Sequence, residues 1–286
     1  MHNGCLEQIQ ACIIGAKSPR GGYIPHVGIT EAAFSNPAIA TLCSEAADMC
    51  RDNVESPYYY YGDRGVYDIR HPYDDPTPPE YFTDYLNQAD VQNAIGVSTN
   101  YTESNSDIYW AFQATGDFIY PNFLFDLEEI LSYGVRVNLF YGDADYICNW
   151  FGGQAISLAL KYAHSKEFAA AGYAPFVYGG VEYGETREYG NFSFTRIYEA
   201  GHEVPYYQPQ ASLALFKRTI QLLDIPTGEK KIMANYGTSG NANATHTESA
   251  GPLVTASGSA YDAYASSLVA SYASLDNTPP ASVTAA

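Results

Sequence analysis

The chain has 286 residues, of which 46% are hydrophobic and 15% aromatic, and its formal net charge at pH 7 is −18. This composition is too apolar and too aromatic for a disordered protein. The negative charge repels phosphate backbones and anionic lipids, so we expect no binding to nucleic acid or to a membrane surface. No run of about 18 apolar residues predicts a transmembrane helix, and the first 17 residues show no signal-peptide pattern.

The first 53 residues predict two helices, joined by a connector rich in Gly, Pro and Ser. Cys5 and Cys12 are seven residues apart in the first helix, and Cys43 and Cys50 are seven apart in the second. Seven residues of helix span roughly 10 Å, whereas a disulfide needs Cα atoms within about 7 Å. Two antiparallel helices allow a nested pairing instead, Cys5 with Cys50 and Cys12 with Cys43. The alternative is four buried free thiols in a reduced protein.

Residues 54–81 are crowded with Tyr and Pro, which predicts a loop, and a helix follows over 81–95. The next pattern is an amphipathic helix over 123–133, ended by Gly134, and then a strand over 135–141. A helix over 151–166, a strand over 192–198 and a helix over 208–223 complete the order. The apolar stripe of the last helix is Leu213, Phe216, Ile220 and Leu223.

This order predicts an α/β fold with a parallel sheet. We expect one folded unit over 1–234, with a helical insertion over about 1–55. Residues 235–286 are dominated by Ala, Ser, Thr, Gly and Tyr, which predicts a disordered, low-complexity tail.

Acidic and basic side chains follow the two predicted strands. Asp145 lies in a Gly-Asp-Ala-Asp sequence after the first strand, and His202 lies in Ala-Gly-His-Glu after the second. Ligands of α/β sheets bind beyond the carboxyl ends of the strands, and α/β-hydrolases place their triad there in the order Ser, Asp, His. In a triad the carboxylate fixes the imidazole tautomer and stabilises the imidazolium. Taken singly, such an Asp is more often a turn residue, and such a His more often structural or exposed.

A family resemblance decides between these interpretations. Residues 137–152, with Gly-Asp-Ala-Asp-Tyr-Ile-Cys-Asn-Trp-Phe-Gly, resemble the segment around the catalytic Asp of serine carboxypeptidases. Residues 197–209, with Ala-Gly-His-Glu-Val-Pro, resemble the segment of that family around its catalytic His. Tyr67-Asp68-Ile69-Arg70 and parts of residues 84–117 also match the family. The resemblance spans about residues 4–223, is to the fungal carboxypeptidase S1-like branch, and implies the C-terminal part of an α/β-hydrolase fold with a disulfide-linked helical insertion.

The resemblance also implies roles for single residues. Asp145 would be the triad acid and His202 the general base and acid. Cys148 would be a free thiol that lines the pocket near the scissile bond, although a plain buried apolar residue is an equal alternative. Glu203 would face the departing C-terminal residue of a peptide or protein substrate. The family's acyl transfer uses neither a metal nor an organic cofactor.

One element of the family pattern is absent from these 286 residues. The family nucleophile lies in a Gly-Glu-Ser-Tyr-x-Gly segment, and the sequence contains none. Because loss of one triad member costs many orders of magnitude in rate, this polypeptide alone is predicted to be inactive. The N-terminal half of the domain is the expected structural partner. The alternative is a non-catalytic pseudoenzyme or binding protein derived from half a hydrolase.

Three sequons bear on the compartment. They begin at Asn100, Asn191 and Asn243 and mark these residues as candidate N-glycosylation sites. Together with the predicted disulfides and the family resemblance, they predict a secreted or vacuolar protein.

Overall fold

A computed structural model of the chain describes residues 2–16, 23–24, 28–29, 36–73, 81–115 and 123–244. The remainder of the predicted tail, 245–286, lies outside these described residues. No helix within the described ranges is long and apolar enough to cross a membrane.

The N-terminal part is a pair of antiparallel helices, α1 (His2–Ala16) and α2 (Pro37–Cys50). Two short antiparallel strands, β1 (Tyr23–Ile24) and β2 (Gly28–Ile29), lie in the connector. Asn36 caps α2, since its side-chain oxygen accepts a hydrogen bond from the backbone of Ala38 at 3.1 Å. The disulfides are Cys5–Cys50 and Cys12–Cys43, with Cα–Cα distances of 4.8 and 4.7 Å. The structure therefore has the nested pairing that the cysteine spacing predicted.

The Tyr-rich segment after α2 is helical, so the prediction of a loop from residue 54 is wrong in its first part. A π-helical turn, Arg51–Glu55, leads into α3 (Ser56–Tyr61). The proline of this helix lies in its first turn, where it needs no hydrogen-bond donor and does not interrupt the helix. The ring of Tyr58 stacks on that of Tyr146 with centroids 3.8 Å apart.

The helix predicted over 81–95 is divided into α4 (Tyr81–Leu86) and α5 (Ala89–Ile95). Gln88 between them is extended, and the Asn87 amide donates to the carbonyls of Thr83 and Tyr101. These side-chain bonds compete with the helical ones, which accounts for the break. Helix α6 (Ser106–Thr115) follows.

The rest of the described chain builds a four-stranded sheet with helices on both faces. In chain order its elements are α7 (Phe123–Ser132), β3 (Val137–Gly142), α8 (Trp150–Ala159), α9 (Ser165–Ala170), β4 (Ala174–Tyr178), β5 (Val181–Tyr189), β6 (Phe192–Ile197), α10 (Val204–Tyr207) and α11 (Pro209–Ile220). The predicted helix over 151–166 is thus two helices, and the hairpin of β4 and β5 was not predicted.

The order of strands is β3-β6-β5-β4. β3 and β6, the two predicted strands, are parallel neighbours, with Val137 opposite Phe192 and Gly142 opposite Ile197. β5 runs antiparallel to both β4 and β6. The sheet is therefore mixed, and the predicted parallel arrangement holds for its β3–β6 half.

β6 is the central strand of the core, because all six of its residues are buried. Phe192 and Phe194 pack on one face of the sheet against α7, α8 and α9. Ile197, near the strand end, joins Phe176 and the Ala211, Ala214 and Leu215 side chains of α11 in a second cluster. This packing fixes the ends of β3 and β6 relative to each other.

The predicted boundary of the tail at residue 235 is wrong for residues 235–244. Asn241 pairs with Tyr173, Gly237 pairs with Tyr189, and Thr238 is buried. A Cβ atom at Gly240 would lie 1.8 Å from the carbonyl oxygen of Tyr173, so the small residues that suggested disorder permit close backbone contact here.

Candidate active site

Two loops meet at the carboxyl ends of the parallel strands β3 and β6. Residues 143–149 form the Asp loop after β3, and residues 198–203 form the His loop after β6. The backbone N–H of Ala144 donates to the carbonyl of Ala200 at 2.9 Å. A Cβ atom at Gly142 would lie 2.3 Å from the carbonyl oxygens of Ala200 and Gly201, so only glycine allows the loops this approach.

Asp145 and His202 form a hydrogen-bonded pair between these loops. Oδ2 of Asp145 lies 3.0 Å from Nδ1 of His202, and Oδ1 accepts a hydrogen bond from the backbone of Cys148 at 3.1 Å. The Asp145 side chain is 3% exposed and that of His202 is 38% exposed. A buried carboxylate on Nδ1 favours the tautomer in which Nε2 is available to exchange a proton with a reactant. The sequence predicted both residues, and the structure brings them together.

The environment of His202 favours its protonated form. The hydrogen bond that His202 donates to Asp145 raises the pKa of His202, burial opposes this increase, and the charges of Asp145 and Glu203 add to it. An imidazole whose cationic form is stabilised in this way is suited to accept a proton during a reaction.

Cys148 is a free cysteine on the Asp loop, and it is exposed. Its sulfur lies in a group with an Asp145 oxygen and a His202 nitrogen in which all three atoms are within 4.8 Å of one another. Burial of the thiol, and then the charge of Asp145, raise the pKa of Cys148.

Two residues of the Asp loop support this geometry. Asn149 caps α8, because its side-chain oxygen accepts from the backbone of Gly152 at 3.0 Å. The buried Asp143 carboxylate lies 3.6 Å from the guanidinium of Arg196, and that guanidinium lies over the ring of Trp150 at 4.2 Å. The start of α8 and the end of β6 are thereby joined through the loop.

Glu203 lies beside the pair and is exposed. Its carbonyl accepts from the backbone of Tyr206 at 2.8 Å, so the residue stands at the start of α10. Its carboxylate contributes to the raised pKa of His202.

The three sequon asparagines differ in their surroundings. Asn100 and Asn243 are exposed. Asn191 lies in the turn between β5 and β6, and its side-chain nitrogen donates to the carbonyl of Val135 at 2.8 Å and to that of Leu131 at 3.4 Å. The atom that a glycan would modify at Asn191 is therefore engaged within the fold.

Sequence reasoning did not assign a role to residues 66–70, which bond to both site loops. The signal was present, because Tyr67-Asp68-Ile69-Arg70 is one of the segments that carried the family resemblance. Its position beside the site depends on contacts across more than 70 residues of chain, which no local pattern shows.

Comparison with known proteins shows the family of the chain and agrees with its fold. A family model described as serine carboxypeptidase matches residues 34–222, and the chain belongs to that family. Carboxypeptidase S1 homolog A from Arthroderma otae is 39% identical over 248 residues, which cover 85% of this chain and 37% of that protein. Carboxypeptidase S1 from Penicillium janthinellum is 43% identical over 180 residues, or 63% of this chain and 42% of that protein.

A solved structure shows the same fold. The prohormone-processing carboxypeptidase Kex1(delta)p from Saccharomyces cerevisiae superimposes with a TM-score of 0.51 at 16% identity, over 77% of this chain and 46% of that one. The architecture is that of an α/β-hydrolase. The chain spans less than half the length of each of these three proteins.

Proposed function

We propose that the chain is the C-terminal part of a serine-type carboxypeptidase, which releases C-terminal residues from peptides by acyl transfer. The observation that supports this most directly is the 3.0 Å contact between Asp145 and His202 at the ends of parallel strands. Family membership supplies the reaction class, and the geometry supplies an acid and a base in the required relation.

In the proposed reaction, Nε2 of His202 takes the proton of a serine hydroxyl as its oxygen attacks the last peptide carbonyl. The tetrahedral intermediate collapses, the C–N bond breaks, and the imidazolium returns the proton to the departing amino group. Water then enters, loses a proton to His202 and hydrolyses the acyl-enzyme. Asp145 stabilises the imidazolium, and in this proposal Cys148 and Glu203 border the substrate.

The serine must come from outside these 286 residues, and two structural features support a complementary segment. Within the described part of the sheet, β3 pairs only with β6, so its other edge has no strand beside it. The predicted apolar stripe of α11 is exposed, with Leu213 at 53%, Phe216 at 59% and Ile220 at 61%. A strand with a free edge beside an exposed apolar helix face indicates a surface that packs against a further polypeptide segment. We propose that the part of the domain that precedes this chain in its relatives covers it.

The test is a carboxypeptidase assay on N-blocked dipeptides. It compares the 286-residue chain with a protein extended upstream through a Gly-Glu-Ser segment. We expect no turnover from the chain alone and turnover from the extended protein, reduced about 10⁴-fold by Asp145→Asn. A matched control is Asp126→Asn, which changes an acidic residue of α7 that belongs to neither site loop. An extended protein that folds but releases no C-terminal residue would contradict the proposal and favour a pseudoenzyme.

We further propose that the protein passes through the secretory pathway and carries glycans at Asn100 and Asn243. The two disulfides and the exposure of both asparagines support this. Glycopeptide mapping of protein from a fungal host is the measurement, and unmodified Asn100 and Asn243 would contradict it.

A further inference from the structure

Residues 66–70, which we call the bracing segment, hydrogen-bond to both loops of the site. The carbonyl of Val66 accepts from the backbones of Tyr146 and Ile147 at 3.2 and 3.1 Å, and the N–H of Ile69 donates to Ala144 at 2.9 Å. On the other side, the N–H of His202 donates to the carbonyl of Tyr67 at 2.7 Å. The backbone of His202 is therefore held by this segment as well as by its own strand.

A charged network locks the bracing segment in its conformation. Asp68 is buried and accepts from the backbone N–H of Arg70 at 2.9 Å and from its guanidinium at 2.6 Å. The same guanidinium donates through its other terminal nitrogen to Glu199 at 2.7 Å. Arg70 thus joins the bracing segment to the His loop with a fork that contacts two carboxylates.

The His-loop end of this network is conformationally demanding. Glu199, three residues before His202, has a φ of 53°, a left-handed conformation that is uncommon outside glycine. A Cβ atom at Gly201 would lie 2.5 Å from the carbonyl of Tyr67 and 2.9 Å from the Cβ of Asp68. The segment therefore packs directly on the backbone that carries the imidazole. A conformation of this kind persists only when neighbouring contacts hold it.

We propose that Arg70 is a positioning residue, which acts through Asp68 and Glu199 to hold His202 at hydrogen-bonding distance from Asp145. The role in catalysis rests on the proposed function, whereas the positioning itself does not. Arg70 contacts neither member of the pair, so its effect is on geometry. A displacement of about 1 Å at such a pair is enough to cost a large part of the rate.

The pKa of His202 in the folded chain tests this without any assay of activity. The groups that face His202 are Asp145, Glu203, Cys148 and the ring of Tyr67. Loss of the Arg70 guanidinium would remove one positive charge from beside Asp68 and Glu199, and by charge alone would raise the pKa of His202. Loss of position weakens the Asp145 hydrogen bond, the largest cause of the raised pKa, and would lower it. The two explanations predict opposite signs.

The experiment is a histidine-selective NMR titration of the 286-residue chain, with the His202 signal identified by its loss in His202→Gln. For Arg70→Met we expect the pKa of His202 to fall by about one unit. Arg70→Lys, which keeps the charge and loses the fork, is expected to give a fall as well. Arg64→Met is the matched control, because Arg64 belongs to the same loop and its substitution removes the same charge. Among the described residues its guanidinium donates to a backbone carbonyl, that of Arg70, and contacts no carboxylate, so we expect the pKa of His202 to be unchanged.

An unchanged or increased pKa in Arg70→Met, with a wild-type melting curve, would overturn the proposal, as would full rescue by Arg70→Lys. If Arg70→Met does not fold, Arg70→Gln gives the same test, because it also removes the positive charge and keeps a polar side chain of similar length. In the extended protein, Arg70→Met should lower kcat at least 10-fold and leave KM unchanged. A lowered pKa in a protein without carboxypeptidase activity would keep the positioning role and reject the proposed function.

Discussion

Glu188 is a fully buried acidic residue at the centre of the sheet. One carboxylate oxygen lies 2.6 Å from the guanidinium of Arg136, and the other accepts from the backbone of Ile225 at 2.8 Å. Burial raises the pKa of Glu188 from 4.5 to about 7, against the opposing effects of Ile225 and Arg136. Between these two pH values Glu188 is therefore protonated in the folded chain and ionised in the unfolded chain.

The consequence is a predicted pH dependence of stability. An acid whose folded pKa is raised contributes stability that is present below the unfolded pKa and is lost as pH rises through the folded value. We expect the free energy of unfolding to fall by up to about 3 kcal/mol between pH 4.5 and 7 on account of this residue. Chemical denaturation at a series of pH values measures it.

Glu188→Gln should flatten that part of the profile, because an amide can occupy the same site without titrating. Glu182→Gln is the matched control, since Glu182 is an exposed residue of the same strand. Profiles of the wild type and Glu188→Gln that run parallel from pH 4 to 8 would show that Glu188 is not the responsible group.

At the scale of elements, the helix pair is a small unit with its own core. Two disulfides join α1 to α2, and the buried residues around them are Ala16, Ile39 and Ala46. Such a small core has little apolar area to bury, so the covalent links carry much of its stability.

Removal of the inner disulfide should therefore destabilise the helix pair selectively. The variant Cys12→Ala combined with Cys43→Ala keeps Cys5–Cys50. It opens the ring that residues 5–12 and 43–50 form between the two disulfides, which has about 15 residues, and we expect the free energy of unfolding to fall by about 3 kcal/mol. Denaturation followed by far-UV circular dichroism is the measurement. Cys148→Ala, which removes the free cysteine, should leave the transition in place. Identical midpoints for the double variant and the wild type would contradict the prediction.

The sheet shows where element prediction from sequence succeeded and where it could not. β3 is a mostly apolar run that ends in Gly142, and β6 is a run of β-forming residues with an aromatic residue at every other position at its start. Both were predicted within two residues at each end. β5 was missed because Glu185, Arg187 and Glu188 give it the composition of a surface segment. Each of these charged side chains is buried against a partner from another part of the chain. Glu185 lies 3.7 Å from Arg196, Arg187 lies 4.6 Å from the ring of Tyr173, and Glu188 lies 2.6 Å from Arg136. A local pattern contains no information on such partners.

At the scale of the whole molecule, the main feature is the unburied apolar surface beside the edge of β3. The amide of Asn138 on β3 contacts Thr219 of α11 at 3.5 Å, which places the exposed stripe of that helix next to the strand. Helix α8, which follows β3 on the other face, exposes Phe151 at 64%. Large exposed apolar patches favour association.

We therefore expect the chain to self-associate when expressed alone, and the extended protein to be monomeric. Leu213→Lys combined with Phe216→Glu and Ile220→Lys should increase the monomer fraction of the short chain. In the extended protein the same triple substitution should cost several kcal/mol, because each residue would then be buried. Size-exclusion chromatography and denaturation measure the two effects. A short chain that is monomeric, together with an extended protein unaffected by the triple substitution, would show that nothing covers this surface.

The sequence by itself determined the helix pair, the nested pairing of its cysteines, the two parallel strands and the positions of Asp145 and His202 after them. The helices, the cysteine pairing and the strands follow from local periodicity and spacing, whereas Asp145 and His202 were singled out by the family resemblance. The tertiary structure decided that α11 buries Ala211, Ala214 and Leu215 and not its larger stripe, that residues 235–244 pair with the sheet, and that Arg70 reaches the His loop. Those outcomes depend on contacts between segments that are distant in the sequence. Whether a side chain is buried depends on the segment that packs against it as well as on its own.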